Sequence, residues 1–182
     1  MGLWHVFYAD WQMECCGTPF SVGDEVGWPL LLNDSGDVLG GDWPDHLAEV
    51  VGEVAQVGGI RVLRDGSGLT AALHEDPVDV LAPDEAGAER PGDRIRRAGL
   101  LTVERHGGEW PEVRGLVRAV SVVGQEYAEI PPCSGTWQPV PGERSLRAVD
   151  TCPKWFTDPA PPTGTRHHRE TGALVTLEVP RN

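Results

Sequence analysis

Apolar residues in this chain recur at every second position in short runs divided by Gly and Pro clusters, and a three-to-four-residue helical spacing is almost absent. The alternation predicts strands over residues 3–9, 25–32, 50–57, 60–64, 69–73, 94–104, 116–124, 145–149 and 173–179. Within the second of these, Val26, Trp28, Leu30 and Leu32 alternate with Glu25, Gly27 and Pro29, which gives one buried face. Helix is expected only over 44–49, where Asp42 could act as a cap. The fold class is therefore mainly β, with very little helix.

Two segments are imperfect copies of each other. Gly23-Asp24-Glu25-Val26 is followed by Gly52-Glu53-Val54-Ala55-Gln56-Val57, and Gly92-Asp93-Arg94-Ile95 by Gly115-Leu116-Val117-Arg118-Ala119-Val120. Both read G-D-x-[VI] and then G-x-V-x-x-V. Glycine frees the turn, aspartate can hydrogen-bond its own turn, and the β-branched residue starts a strand. Such a turn-strand-loop-strand unit suits small bent barrels of the SH3-like or OB-like kind, which remove sheet edges by closure. The expected architecture is two related barrel units packed in tandem. An acidic first β unit covers 1–81, a linker 82–90, a second β unit 91–155, a Pro-rich linker 156–172 and a C-terminal strand 173–182. The alternative is one larger sandwich whose hairpins begin at the G-D-x-V segments.

At 182 residues the chain can bury a core without help from disulfides. Its four cysteines, adjacent at Cys15 and Cys16 and distant at Cys133 and Cys152, lack the spacing of a secreted disulfide framework. The N-terminal residues carry no Lys or Arg ahead of a long apolar run, and no stretch has the length of a membrane helix. A cytoplasmic location without membrane contact is expected. Arg outnumbers Lys fourteen to one, a bias typical of high-GC bacterial genomes. Charge is unevenly spread: residues 1–89 hold 17 acids and two bases, whereas residues 90–182 hold 11 acids and 13 bases. The acidic half repels phosphates and anionic lipid and favours a basic or neutral partner.

Candidate chemistry concentrates in Trp11-Gln12-Met13-Glu14-Cys15-Cys16-Gly17-Thr18-Pro19-Phe20. Thiolates are preferred zinc ligands, so Cys15, Cys16 and Cys152 form the candidate metal set. Adjacent cysteines on an extended segment point to opposite faces, and the simpler expectation is no cofactor, with one thiol packed as a small hydrophobe. A thiol nucleophile would need a base, for which His106 is the candidate, although nothing in the sequence brings it close. No G-x-S-x-G, phosphate-binding glycine loop or H-E-x-x-H is present, and no catalytic residue is assigned. Arg94, Arg96, Arg97, Arg105, Arg114 and Arg118 surround Trp110 in the second unit, an arrangement that could hold single-stranded nucleic acid. The net charge of −13 disfavours that partner. Seven Trp against two Tyr and three Phe suit cores and contact surfaces alike. Trp11 and Trp110, in Gly or Pro contexts, join Glu14 and His106 as candidate binding residues.

Trp11-Gln12, Cys15-Cys16-Gly17, Pro19-Phe20, Val22-Gly23-Asp24, Val26 and Trp28 together resemble a bacterial domain family of unknown function. Members of that family, found chiefly in high-GC Gram-positive bacteria, carry a W-Q-x-x-C-C-G-x-P-F-x-V-G-D-x-V-x-W segment. His106-Gly107, Pro111 and Gly115-x-Val117 look like its second half, so the resemblance spans much of residues 8–124. It implies no activity. With the charge split, the sequence points to a non-enzymatic protein-interaction or scaffold module whose ligand is a protein partner or a second copy of the chain. The alternatives are a zinc or thiol site on Cys15, Cys16 and Cys152, and single-stranded nucleic-acid binding by the second unit.

Overall fold

A computed structural model describes residues 2–74, 90–157 and 164–181. In chain order the elements are β1 (Gly2–Ala9), α1 (Asp10–Cys16), β2 (Glu25–Trp28), β3 (Leu30–Asn33), β4 (Ala48–Val57), β5 (Ile60–Arg64) and β6 (Thr70–Leu73). The long strands β7 (Arg94–Val103), β8 (Val113–Glu129), β9 (Trp137–Val149) and β10 (Arg166–Val179) follow. The mainly β expectation holds. Among the described residues no helix is long and apolar enough to cross a membrane.

The strands form a closed five-stranded barrel with a sheet grown from its side. In the barrel β7 pairs antiparallel with both β3 and β4, and β6 and β5 complete the circuit between them. Outside it, β10 lies antiparallel between β1 and β8, while β2 and β9 share the remaining edge of β8. The two parts meet where β1 runs parallel to β7, through Val6 opposite Leu101 and Phe7 opposite Thr102. One hydrophobic core passes through both, containing Leu30, Val50, Leu63 and Leu101 from the barrel and Val6, Val117, Val175 and Leu177 from the outer sheet. Each such side chain contributes about 1.5–3 kcal/mol on burial.

The repeat is present as local geometry, but its copies are cross-paired. At Gly23-Asp24 the Asp24 carboxylate accepts the Ser21 N–H at 2.7 Å, and at Gly92-Asp93 the Asp93 carboxylate accepts the Arg90 N–H at 2.8 Å. The first turn then bonds across to Val117 and the second to Val54. Registers correspond as well: Val26 faces Gly115, and Ile95 faces Gly52. Each G-D-x-[VI] segment thus pairs with the G-x-V segment of the other copy, and β7 closes a barrel begun by β3–β6. The strand pairing therefore does not divide into two tandem barrels. The expected linker over 82–90 lies, apart from Arg90, outside the described residues.

Other departures have local causes. The predicted strand 25–32 is two strands, because the chain crosses at Pro29 from the outer sheet, where β2 meets β8, to the barrel, where β3 meets β7. Residues 44–46 form a turn rather than the start of a helix, closed by the His46 N–H on the Trp43 carbonyl at 3.0 Å. Trp43 fixes that turn: it is buried, its indole N–H donates to the Val38 carbonyl at 2.9 Å, and the Arg144 guanidinium lies 3.7 Å above its ring. The helix forms instead at α1. β9 begins at Trp137 and β10 at Arg166, so Arg166–Arg169 lie in a ribbon with β8 and not in a linker. Residues 158–163 of the expected Pro-rich linker lie outside the described residues.

Candidate functional site

Parallel strands deliver their C-terminal ends to the same edge, and the β1–β7 pair does so here. Beyond β1 the chain enters α1; beyond β7 it enters the loop that starts at Glu104 and contains His106. In α1 the Asp10 carboxylate accepts the Trp11 N–H at 2.8 Å, an acid at the end of the helix where donors are unpaired. Gln12 and Met13 are buried, while Trp11, Cys15 and Cys16 face outward. At the other end, the Lys154 ammonium donates to the Met13 and Gly17 carbonyls at 2.7 and 2.9 Å and caps the helix. Gly17 is needed for space: a Cβ there would lie 2.4 Å from the Met13 sulfur and 2.8 Å from the Tyr8 hydroxyl.

The buried Gln12 amide locks the helix to the loop. Its Nε2 donates to the Val103 carbonyl at 2.8 Å, and its Oε1 accepts the Arg105 N–H at 2.9 Å. Glu104 shapes the next turn, one carboxylate oxygen accepting the N–H groups of His106 and Gly107 at 2.7 and 3.1 Å. Arg105 donates from Nε to the Tyr8 hydroxyl at 3.0 Å. Burial pushes the Tyr8 phenol up, with Arg105 opposing. These bonds place His106 Nε2 at 3.8 Å from both the Cys15 and the Cys16 sulfur, and the two sulfurs lie 2.8 Å apart. The Trp11 ring lies 5.3 Å from the His106 ring. The Cys16 thiol is raised by its hydrogen bond with Cys15 and then by burial, against the pull of Arg105 and Lys154.

A cleft of about 560 Å³ opens beside α1, lined in part by Asp10, Trp11, Glu14, Asn33, Glu104 and Arg169. Asp10 pairs with Arg169 at 2.8 Å, and burial raises its carboxyl against the Trp11 N–H and Arg169. Glu14 accepts the Phe156 N–H at 3.1 Å, which fastens the 154–156 segment along the helix. Trp155, on that segment, is 69% exposed and Trp11 is 52% exposed.

Of the residues singled out from sequence, Trp11, Glu14, Cys15, Cys16 and His106 therefore come together. Cys152 does not join them: it is buried in the core, its backbone N–H is bonded to Phe20, and burial pushes its thiol up to about 12. Trp110 is also buried, against Val62 and Ala72, with its indole N–H on the Leu30 carbonyl at 2.9 Å. Three of the six arginines expected around it are turned to local partners. Arg96 meets Glu49 at 3.4 Å, Arg118 meets Glu178, and Arg105 meets Tyr8. Gln12, Glu104 and Lys154 were not singled out as site residues. The proximity of Gln12 to Cys15-Cys16 was the one available signal.

Fold and site define a mainly β protein with a closed five-stranded barrel, on whose flank a short helix and a loop converge two thiols and an imidazole beside an acidic cleft. A family model described as "Family of unknown function (DUF6578)" matches residues 2–179, and the chain belongs to that family. No curated protein and no solved structure matches it.

Proposed function

We propose that the chain is a non-enzymatic interaction module that presents the outer face of α1 to a cationic segment of a partner protein. The observation that carries this reading is the exposure of two tryptophans: Trp11 on α1, which lines the cleft with the acids Asp10, Glu14 and Glu104, and Trp155 on the segment that Glu14 fastens to the helix. Tryptophan is the side chain most enriched at energetic centres of protein interfaces. Carboxylates around it favour Lys and Arg on the incoming chain, in keeping with the 17 acids in residues 1–89.

Random-peptide display against the full chain tests this. Selected peptides should carry Lys or Arg next to an apolar residue, and their affinity should fall about tenfold or more in Trp11→Ala and Trp155→Ala, a loss of about 1.4 kcal/mol each. Binding should also weaken with salt. Acidic peptides, no selected peptides, or peptides indifferent to both substitutions would overturn the reading.

A further inference from the structure

The interaction reading leaves Cys15, Cys16 and His106 without a task. His106 is 91 and 90 positions from the adjacent cysteines in sequence, yet the three donor atoms lie within 4.8 Å of one another, the one such group of metal-ligand side chains among the described residues. We propose that Cys15 Sγ, Cys16 Sγ and His106 Nε2 bind one thiophilic divalent cation, zinc foremost, with the fourth position open to water.

Adjacent cysteines converge here because they lie on the last turn of a helix, where successive side chains are about 100° apart, and not on a strand, where they would oppose each other. Tetrahedral zinc with bonds of about 2.3 Å to sulfur and 2.0 Å to nitrogen needs sulfur–nitrogen separations of about 3.5 Å. The present 3.8 Å distances are close to that. The sulfurs must part from 2.8 Å to about 3.8 Å, which rotation of one exposed Cys side chain supplies. Binding breaks two S–H bonds and forms two metal–sulfur and one metal–nitrogen bond. The two protons leave to solvent, water leaves the ion, and no electron is transferred. Two thiolates neutralise the dication. The donors are held from behind: Gln12 and Glu104 fix the loop that carries His106, as supporting residues do around metal centres. Soft sulfur donors select zinc, cadmium or copper(I) over magnesium and calcium.

The test uses the full chain, reduced and stripped with a chelator. Titration with Cd2+ should give thiolate-to-metal absorption that saturates at one equivalent and is reversed by Zn2+. Without metal, a thiol reagent should react fast with Cys15, Cys16 and Cys133 and slowly with the buried Cys152; with metal bound, only Cys133 should stay fast. Cys15→Ser, Cys16→Ser and His106→Gln should each weaken binding tenfold or more with an unchanged circular dichroism spectrum, whereas Cys133→Ser and Trp155→Ala should not. Absence of the absorption band, or binding indifferent to His106→Gln, would overturn the site. So would isolated protein whose Cys15 and Cys16 are joined in a disulfide that reforms in the presence of Zn2+. Because Trp155→Ala tests the interaction face alone, failure of either proposal can be told from failure of the other.

Discussion

Replacing Gln12 by Ala removes the clamp between α1 and the His106 loop. The side chain is 3% exposed and uses both ends of its amide, at 2.8 Å on the Val103 carbonyl and 2.9 Å on the Arg105 N–H. Truncation leaves that acceptor and that donor without a partner, at a cost of about 1–3 kcal/mol for each group that water cannot reach. The lost methylene contact adds about 0.8 kcal/mol. Val103 is fully enclosed and Arg105 lies at the surface, so water can rescue the second group in part. The sum is about 3 kcal/mol. For a domain of this size that lowers Tm by about 6–12 °C, readable by urea denaturation and by thermal circular dichroism. Gln12→Glu keeps the acceptor for Arg105 but turns a carboxylate oxygen toward the Val103 carbonyl, and should be no milder. Since the clamp positions His106 without touching the ion, Gln12→Ala should also weaken Cd2+ binding at temperatures where the variant is still folded. A stability loss below about 0.5 kcal/mol, or unchanged Cd2+ affinity, would refute the clamp.

Two further outcomes follow from the strands around the site. Gly172 has φ +144°, and a Cβ there would lie 2.3 Å from the Tyr8 carbonyl oxygen, so Gly172→Ala should cost about 3 kcal/mol or more in urea denaturation. Gly135→Ala, also at positive φ but with open space around it, should cost only about 1 kcal/mol, and equal losses would sink the steric explanation. Burial works to raise the Glu170 carboxyl, but the Thr157 N–H at 2.8 Å and Arg147 at 2.5 Å outweigh it and hold it below the ordinary range. A depressed carboxylate adds stability above the unfolded-state value, about pH 4.3, and loses it as pH falls through the lower folded-state value. Glu170→Gln should therefore lower the unfolding free energy from urea denaturation near pH 7 by about 1 kcal/mol and flatten the acid side of the profile; an unchanged slope would contradict this.

How far sequence reaches into this fold depends on what each segment buries. Strands with one core-facing side, such as β4, announce themselves by alternation, whereas β1 and β5, buried on both faces at Val6–Tyr8 and at Val62–Leu63, are marked by short apolar runs. The first part of β9, before the predicted 145–149, and the start of β10 do not announce themselves, because none of their side chains is buried and pairing with β8 holds them as strands. α1 escapes for the opposite reason. Seven residues span two turns, and the helix buries the polar Gln12 while exposing Trp11, which inverts the usual amphipathic signal. The G-D-x-[VI] and G-x-V copies were visible, but a copy cannot reveal whether it pairs with itself or with its twin. Cys152 looked like a third ligand until the bridge between Ser21 and Thr151 carried it into the core.

The meeting of thiols and imidazole is a consequence of sheet polarity, and it has an energetic corollary. β1 and β7 share a parallel seam of only two residue pairs, Val6 with Leu101 and Phe7 with Thr102, beyond which their chains diverge into α1 and the 104–112 loop. Beside the shared core, three side chains reinforce so short a ladder: Gln12 to the Val103 carbonyl and Arg105 N–H, Arg105 to the Tyr8 hydroxyl, and Trp11 against His106. All three lie within one turn of the cysteines or the histidine. A cation held by Cys15, Cys16 and His106 would add a fourth link across the same seam, joining the barrel to the outer sheet. Ligand binding there should therefore stabilise the whole fold by mass action, since the unfolded chain has no such set of converged donors.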